Sequence, residues 1–263
     1  MTHNSDQPKT AFVTGGRRGI GRAIAVELAK KGFDIIINDV VDDDNAAQTL
    51  AAIREAGRKA TFIAGDIGDL DAQDELVEAA WAAGGSIDCL VNNAGVQTAY
   101  RGDMLSVPVE SFDRLMGINV RGTYFLSQRI ARRMMAHRVG DPARPDRSMI
   151  FISSGNAVIA TETQADYCIS KAGIAMMATL YSLRLASSGI AVHEIRPGMI
   201  RTDMTADVFE KYDAAVTSGR VPQPRWGEAE DIGRTVAALA AGDLPYMTGH
   251  AFHVDGGLHI RKS

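Results

Sequence analysis

Residues 10–21 read TAFVTGGRRGIG, an apolar run followed by a glycine-rich turn. The run Thr10–Thr14 has the composition of a buried strand. The segment after the turn, Ile20–Lys31, carries apolar residues at three- and four-residue spacing, as an amphipathic helix does. Glycines in such a turn let the backbone approach a pyrophosphate, next to the free N–H groups of a helix N-terminus; here they are Gly15, Gly19 and Gly21. A tight strand–helix connection without a ligand would have the same pattern.

Strand–helix alternation continues along the chain. Apolar runs predict seven strands, at Thr10–Thr14, Asp34–Asn38, Lys59–Ala64, Asp88–Asn92, Ser148–Ser153, Ala191–Arg196 and Ala251–Val254. Helical spacing predicts six helices between them, at Ile20–Lys31, Ala46–Ala56, Gln73–Ala82, Phe112–His137, Ala165–Ala186 and Ile232–Ala240. Several runs are apolar throughout, as strands of a parallel sheet buried on both faces are. We therefore predict a single α/β domain over residues 1–263, a Rossmann-type doubly wound parallel sheet, with a candidate substrate lid at 202–226.

Bulk composition excludes several classes of protein. The chain has 263 residues, 46% hydrophobic and 23% charged, as a globular domain does, and its formal net charge of −4 does not suggest a nucleic-acid-binding protein. Two cysteines are too few for a disulfide framework. The polar N-terminus and the absence of a run of about 18 apolar residues argue against a signal peptide or a membrane span. We expect a soluble cytoplasmic protein.

The residues after the second and third strands bear on the ligand. Asp39 lies about 20 residues beyond the glycine turn, where a carboxylate binds ribose hydroxyls and repels a 2′-phosphate. It therefore favours NAD, whereas Arg17 and Arg18 could pair with a 2′-phosphate and favour NADP. We expect NAD in preference to NADP. Asp66 and Ile67 are candidates for the adenine rim, although a simple turn would explain them nearly as well.

A tyrosine and a lysine lie four residues apart, at Tyr167 and Lys171, and so share one helix face. An ordinary tyrosine pKa, near 10, is about three units too high for efficient proton exchange at neutral pH. A lysine ammonium one turn away stabilises the phenolate. Alone, the pair is also compatible with a partly buried tyrosine beside a surface lysine. Here Ser154 ends the fifth strand and Asn119 lies in the preceding helix, which favours the catalytic interpretation.

Taken together, these motifs resemble the classical short-chain dehydrogenase/reductases, from about Lys9 to Gly257. The matching residues, in order, are Thr14-Gly-x-x-x-Gly-x-Gly21, Asn92-Asn-Ala-Gly95, Asn119, Ser154, Tyr167-x-x-x-Lys171, Pro197-Gly198, Thr248-Gly249 and Val254-Asp-Gly-Gly257. The segment Ile200–Thr205 further resembles the 3-oxoacyl-acyl-carrier-protein reductase branch. The resemblance implies a seven-stranded sheet with three helices on each face, and a homotetramer.

The resemblance also implies residue roles. Tyr167 would be the general acid in carbonyl reduction and the general base in alcohol oxidation, and Lys171 would lower its pKa and hold the nicotinamide ribose. Ser154 would hydrogen-bond the substrate oxygen, and Asn119 would position a water that relays protons to Lys171. The cofactor would contact Gly15, Arg17, Arg18, Gly19, Ile20, Gly21, Asp39, Asp66, Ile67, Asn93, Ala94, Gly95, Tyr167, Lys171, Pro197, Gly198, Ile200 and Thr202.

We therefore expect an NAD(P)-dependent oxidoreductase that transfers a hydride between nicotinamide and a small carbonyl or alcohol substrate, with a 3-oxoacyl thioester as one candidate. A dehydrogenase of a polyol, sugar or other secondary alcohol is the alternative. Further alternatives are a non-catalytic dinucleotide-binding regulator and a dehydratase or epimerase of the same fold. We expect no nucleic-acid partner and no membrane. We also expect no metal, because His250 and His253 face opposite ways in an extended strand.

Overall fold

A seven-stranded parallel sheet forms the centre of the computed structural model, which describes residues 8–136, 146–202 and 209–260. The described strands are β1 (Thr10–Thr14), β2 (Asp34–Asp39), β3 (Ala60–Ala64), β4 (Cys89–Asn92), β5 (Arg147–Ile152), β6 (Ile190–Pro197), β7 (Ile200–Arg201), β8 (Gly227–Glu228) and β9 (His250–Val254). The large sheet has the order β3-β2-β1-β4-β5-β6-β9, and β7 pairs with β8 separately. All seven predicted strands are therefore present, each within two residues of its predicted ends.

The strand order reverses between β1 and β4. These two strands pair in parallel, with Val13 opposite Val91, while β2 pairs on the other side of β1, with Ile37 opposite Val13. In a doubly wound sheet, the crevice at the carboxyl ends of two such strands is where ligands bind. The glycine turn after β1 therefore lies at the edge of the sheet where a ligand site is expected.

Helices cover both faces of the sheet. Those described are α1 (Gly19–Lys30), α2 (Asp44–Glu55), α3 (Gln73–Gly84), α4 (Val109–Leu115), α5 (Thr123–Ala136), α6 (Ala165–Leu185), α7 (Phe209–Thr217) and α8 (Ala229–Ala241). One buried cluster joins α1, α2 and α8 to the sheet, and a second joins α3, α5 and α6, so the expected three helices on each face are confirmed. None of the described helices is long and apolar enough to cross a bilayer.

The long predicted helix Phe112–His137 differs from its prediction. It begins earlier, at Val109, and its turns at Met116–Gly122 are π-helical; His137 lies outside the described residues. Gly122 explains the close packing at this point, because a Cβ there would lie 2.5 Å from the carbonyl oxygen of Ile67. Such π-helical turns place side chains differently from a continuous α-helix and often occur at functional sites.

The candidate lid at 202–226 has a small core of its own. Its residues 203–208 lie outside the described part of the chain, and α7 follows them. Trp226 is buried, stacks on the Phe209 ring at a centroid distance of 4.9 Å and donates from Nε1 to Asp213 Oδ1 at 3.2 Å. Val216 packs in the same small cluster, so the two ends of the described segment are held together.

Candidate active site

The turn after β1 has the shape that the glycine spacing predicts. Gly15 has φ +62° and Gly19 has φ +55°, a left-handed conformation that side chains disfavour. A Cβ on Gly21 would lie 2.0 Å from the carbonyl oxygen of Gly15, so any larger residue would force the turn open. Helix α1 starts at Gly19, with Ile20 in its first turn, and has no side-chain cap, so its first N–H groups suit an anion.

Polar contacts fix this turn to the end of β4. Asn93 Nδ2 donates to the carbonyl oxygens of Thr14 and Gly15, at 2.9 Å each. In return, Thr14 Oγ1 accepts from the N–H groups of Asn93 and Ala94, at 3.1 and 3.0 Å. The side chain of Asn93 therefore joins the glycine turn to the end of β4. Thr14 was absent from the predicted site residues, although it stands in the motif, because a strand-end threonine has no signal of its own.

Charged side chains cluster at the carboxyl end of β2. Arg17 Nε lies 3.6 Å from Asp39 Oδ1, and Arg17 Nη1 also contacts the Asp43 carboxylate. Asp39 is well shielded and accepts from the N–H of Val40 at 2.9 Å. The guanidinium of Arg17 therefore already faces two carboxylates, while Arg18 follows it immediately before α1.

The third strand end places its two predicted residues differently. Asp66 is exposed, and its Oδ1 accepts from the N–H of Gly68 at 2.7 Å, as in an ordinary turn. Ile67 is buried in the core, against α3. Asp66 therefore has an exposed carboxylate at the sheet edge, whereas the side chain of Ile67 packs inward.

Tyr167 and Lys171 lie in the first two turns of α6, and both are buried. Lys171 Nζ lies 5.6 Å from the centroid of the Tyr167 ring and donates to the carbonyl oxygen of Ile152 at 3.1 Å. Burial lowers the pKa of Lys171 to about 8, from its ordinary 10.5, because the charged form loses its hydration. The ammonium is thus aligned beside the phenol ring and tied to the end of β5.

Ser154 is brought to the same edge of the sheet, two residues beyond β5. It is half-buried, and its Oγ accepts from the N–H of Asn156 at 3.1 Å. Asn156 in turn donates from Nδ2 to Thr161 Oγ1 at 2.9 Å, so this turn is braced internally. Lys171 binds the carbonyl oxygen of Ile152, the last residue of β5 and two residues before Ser154. This bond therefore holds the start of α6, with Tyr167 and Lys171, against the strand end that leads to Ser154.

Asn119 lies in the π-helical turns and is fully buried. Its Oδ1 accepts from the N–H of Val96 at 2.8 Å, and its Nδ2 donates to Val96 O at 3.0 Å and to Ser170 Oγ at 3.1 Å. A Cβ on Gly95 would lie 3.2 Å from Asn119 Oδ1 and 3.7 Å from Lys171 Nζ. Glycine therefore leaves open a space that both groups border.

The segment after β6 completes the edge. Gly198 packs tightly, since a Cβ there would lie 2.5 Å from Asp255 Cβ, and its N–H donates to Val254 O at 3.0 Å. Pro197 ends β6, and Ile200 is buried in the core beside β8. Thr202 approaches the glycine turn: a Cβ on Gly19 would lie 3.7 Å from its Cγ2. The predicted site residues from β1, β4, β5, α6 and β6 therefore occupy one edge of the sheet.

Two of the C-terminal histidines meet around Asp255. His259 Nδ1 lies 2.8 Å and His253 Nδ1 3.6 Å from Asp255 Oδ2, beside a cavity of about 670 Å³. Their rings stack, with centroids 3.9 Å apart and planes at 24°. The three side chains therefore place possible ligand atoms within 4.8 Å of one another, although stacked imidazole rings hold their lone pairs in nearly parallel planes, unlike the ligands of a tetrahedral metal ion. The expectation that the protein needs no metal stays a prediction.

Comparisons with known proteins agree with this arrangement. The family model described as "Enoyl-(Acyl carrier protein) reductase" matches residues 15–259. L-rhamnose 1-dehydrogenase (NAD(P)(+)) from Azotobacter vinelandii is 35% identical, over 96% of this chain and 97% of its own length. A 3-oxoacyl-[acyl-carrier-protein] reductase from Staphylococcus epidermidis is 31% identical, over 96% and 99%. The crystal structure of a 3-oxoacyl-[acyl-carrier protein] reductase from Brucella melitensis in complex with NAD has 46% identity and a TM-score of 0.93, covering 98% of this chain and 100% of that one.

Proposed function

The chain belongs to the short-chain dehydrogenase/reductase family, oxidoreductases that act on alcohol and carbonyl groups, and we propose that Tyr167 is the acid–base residue of its reaction. The observation that carries this proposal is the placement of Tyr167, Lys171 and Ser154 at one sheet edge, beside a glycine turn shaped for a pyrophosphate. A protein that only bound a nucleotide would not need the tyrosine–lysine pair.

A nicotinamide dinucleotide fits the residues present. The turn at Gly15 to Gly21 leaves room for close backbone approach, and the uncapped start of α1 favours the pyrophosphate. Asp39 supports NAD over NADP, because its carboxylate would repel a 2′-phosphate. Arg17 does not offset this, because it already faces the carboxylates of Asp39 and Asp43 and is poorly placed to receive a 2′-phosphate. The bound cofactor supplies or accepts the hydride.

In carbonyl reduction, Tyr167 would give its phenolic proton to the substrate oxygen, and in alcohol oxidation it would take that proton back. Ser154 would donate a hydrogen bond to the same oxygen and hold it in place. Lys171 would favour the phenolate through its positive charge, since an ammonium in a shielded site interacts more strongly than one in water. Each role requires only atoms at the sheet edge described above.

Proton replacement would pass by way of Lys171 and Asn119. The amide of Asn119 is held by Val96 and Ser170, so its oxygen keeps a fixed position with one lone pair unused by Val96. The space over Gly95 lies between that oxygen and Lys171 Nζ, and it suits a water molecule that hydrogen-bonds both. This geometry supports the predicted relay.

The substrate we favour is a 3-oxoacyl thioester. The 46% identity and close structural match to the Brucella reductase support it, as do the apolar residues near the site, such as Val96 and Ile159. A sugar or other secondary alcohol is the second candidate, because the rhamnose dehydrogenase is 35% identical over nearly its whole length. We further propose that the described part of the candidate lid, residues 209–226, closes over the substrate, with Trp226 at its base. We also propose that the protein works in the cytoplasm.

The test is oxidation of NADH and of NADPH, run separately, with acetoacetyl thioesters, small ketones, keto-sugars and steroid ketones, together with NAD⁺ reduction by L-rhamnose. The expected result is thioester turnover that Tyr167→Phe abolishes while cofactor binding is retained. Turnover of sugars alone would replace the substrate proposal and keep the mechanism. Wild-type rates in Tyr167→Phe would refute the mechanism itself.

An exposed apolar stripe on α6 supports self-association, and a homotetramer is the assembly that we propose. Ile169, Met176, Leu180 and Leu183 lie on one helix face, and each is at least half exposed in the single chain. Because soluble monomers rarely expose such a contiguous stripe, a second copy of the chain is the occupant we propose. Light scattering on the wild type should give a tetramer mass, which Leu183→Glu should lower; a monomeric wild type would contradict the assembly.

A further inference from the structure

Asp166, the residue before Tyr167, is 1% exposed although it carries a carboxyl group. Within the described residues it forms no ion pair with lysine or arginine. A buried carboxyl group without a cation is costly and is retained only where hydrogen bonds compensate. The first turn of a helix favours an acidic residue, but an exposed one would serve that purpose equally well. The burial of Asp166 therefore requires another explanation.

Three segments of the chain contact this carboxyl group. The N–H of Tyr167 donates to Oδ1 at 2.7 Å, within α6. Ser111 Oγ, in α4, donates to Oδ2 at 2.7 Å, and Thr98 Oγ1, in the connection after β4, lies 3.0 Å from the same oxygen. Ser111 and Thr98 are themselves buried. One side chain thus joins the start of the tyrosine helix to the loop that borders the site.

The same loop has a second attachment two residues away. Asn119 holds the N–H and the carbonyl oxygen of Val96, as described above. Thr98 Oγ1 also accepts from the N–H of Tyr100 at 3.2 Å and lies 2.7 Å from the carbonyl oxygen of Tyr100, so its one proton is shared between that oxygen and Asp166. The stretch from Val96 to Tyr100 is therefore fixed to the two helical segments that carry Asn119 and Tyr167.

We propose that Asp166 is a positioning residue that fixes the Val96–Tyr100 loop against Tyr167, and thereby sets the substrate side of the site. The proposal rests on the acid–base role of Tyr167. Asp166 contacts neither substrate nor cofactor in this scheme. Its effect is geometric, and a misplacement of about 1 Å at a reacting centre can reduce a rate by roughly a hundredfold.

The test compares Asp166→Asn, Thr98→Val and Ser111→Ala with Asp113→Asn, a control that alters an exposed carboxylate on α4. We expect Asp166→Asn to lower kcat/KM by roughly tenfold to a hundredfold while cofactor Kd changes less than about twofold. Thr98→Val keeps the side-chain size and should have a smaller effect, mainly on KM. Added to Asp166→Asn, it should have less than its single effect, because both changes remove the contact between Thr98 and Asp166.

Hydrogen exchange provides a readout that needs no turnover. Backbone amides in the loop after β4 should exchange at least about tenfold faster in Asp166→Asn than in Asp113→Asn, while those of β1 and β4 remain protected. If Asp166→Asn does not fold, Thr98→Val carries the same test. Unchanged exchange, or a wild-type kcat/KM in both variants, would overturn the proposal. Activity in Tyr167→Phe would instead identify a failure of the proposed mechanism.

Discussion

Lys171→Met should make the cofactor-free protein more stable near neutral pH while abolishing turnover. Burial lowers the pKa of Lys171 in the folded chain from 10.5 to about 8. Between these two pH values the unfolded chain binds the proton and the folded chain does not. Stability therefore rises with pH in that range, and below it the wild type bears the full cost of a buried ammonium.

The separation of the two pKa values corresponds to about 3 kcal/mol. Methionine keeps the length and apolar stem of the side chain but loses the hydrogen bond to Ile152 O, which costs about 1 kcal/mol. The free energy of unfolding of Lys171→Met should thus exceed that of the wild type by about 2 kcal/mol at about pH 7. At about pH 9.5 the wild type should have recovered about 2 kcal/mol, so the two become nearly equal.

Urea denaturation followed by tryptophan fluorescence measures both values, at one protein concentration and without cofactor. Lys59→Met is the matched control, since Lys59 is exposed and its removal should leave the pH dependence unchanged. The reasoning is refuted if Lys171→Met is no more stable than the wild type at neutral pH. An advantage that does not change with pH would refute it equally, because it would then arise from packing rather than from the buried charge.

Three further predictions concern the cofactor, the proton relay and acid stability. Asp39→Asn should raise the NADPH-to-NADH ratio of kcat/KM by at least about tenfold, and an unchanged ratio would remove Asp39 from the specificity argument. Gly95→Ala should lower kcat at least about tenfold, because its Cβ fills the space beside Lys171; an unchanged kcat would exclude a water there. Burial, and to a smaller extent the charge of His250, lower the pKa of His193 to about 4. The free energy of unfolding of the wild type should therefore fall by about 3 kcal/mol as pH falls from about 6.5 to 4. In urea titrations His193→Gln should lack that loss, and equal acid sensitivity would contradict it.

The sheet was predictable because its physical cause acts locally. A strand buried on both faces must be apolar throughout, as at Ile35, Ile36 and Ile37, which are almost fully buried. The glycine turn was equally predictable from the sequence, since Gly21 has no space for a Cβ. In both cases a residue's environment follows from its neighbours in sequence.

The contacts that hold the site together were not predictable in this way. Nothing near Asp166 in sequence indicates that it meets Thr98 and Ser111, 68 and 55 residues away. The π-helical turns around Asn119 were predicted as ordinary helix, because close packing of Gly122 on Ile67 is a tertiary contact. Likewise, strand alternation separates His250 from His253 correctly but does not indicate that His259 folds back onto His253.

The buried polar side chains at the site share one feature: each binds the main chain of a segment that carries another site residue. Lys171 binds Ile152, close to Ser154; Asn119 binds Val96; and Asp166 binds the N–H of Tyr167. The cost of burying these groups is thereby offset by bonds that also fix the positions of the reacting atoms. Since Asn119 and Asp166 hold the same loop, replacing both should lower kcat/KM by less than the product of the two single effects. A full product would mean that each acts on the reaction independently.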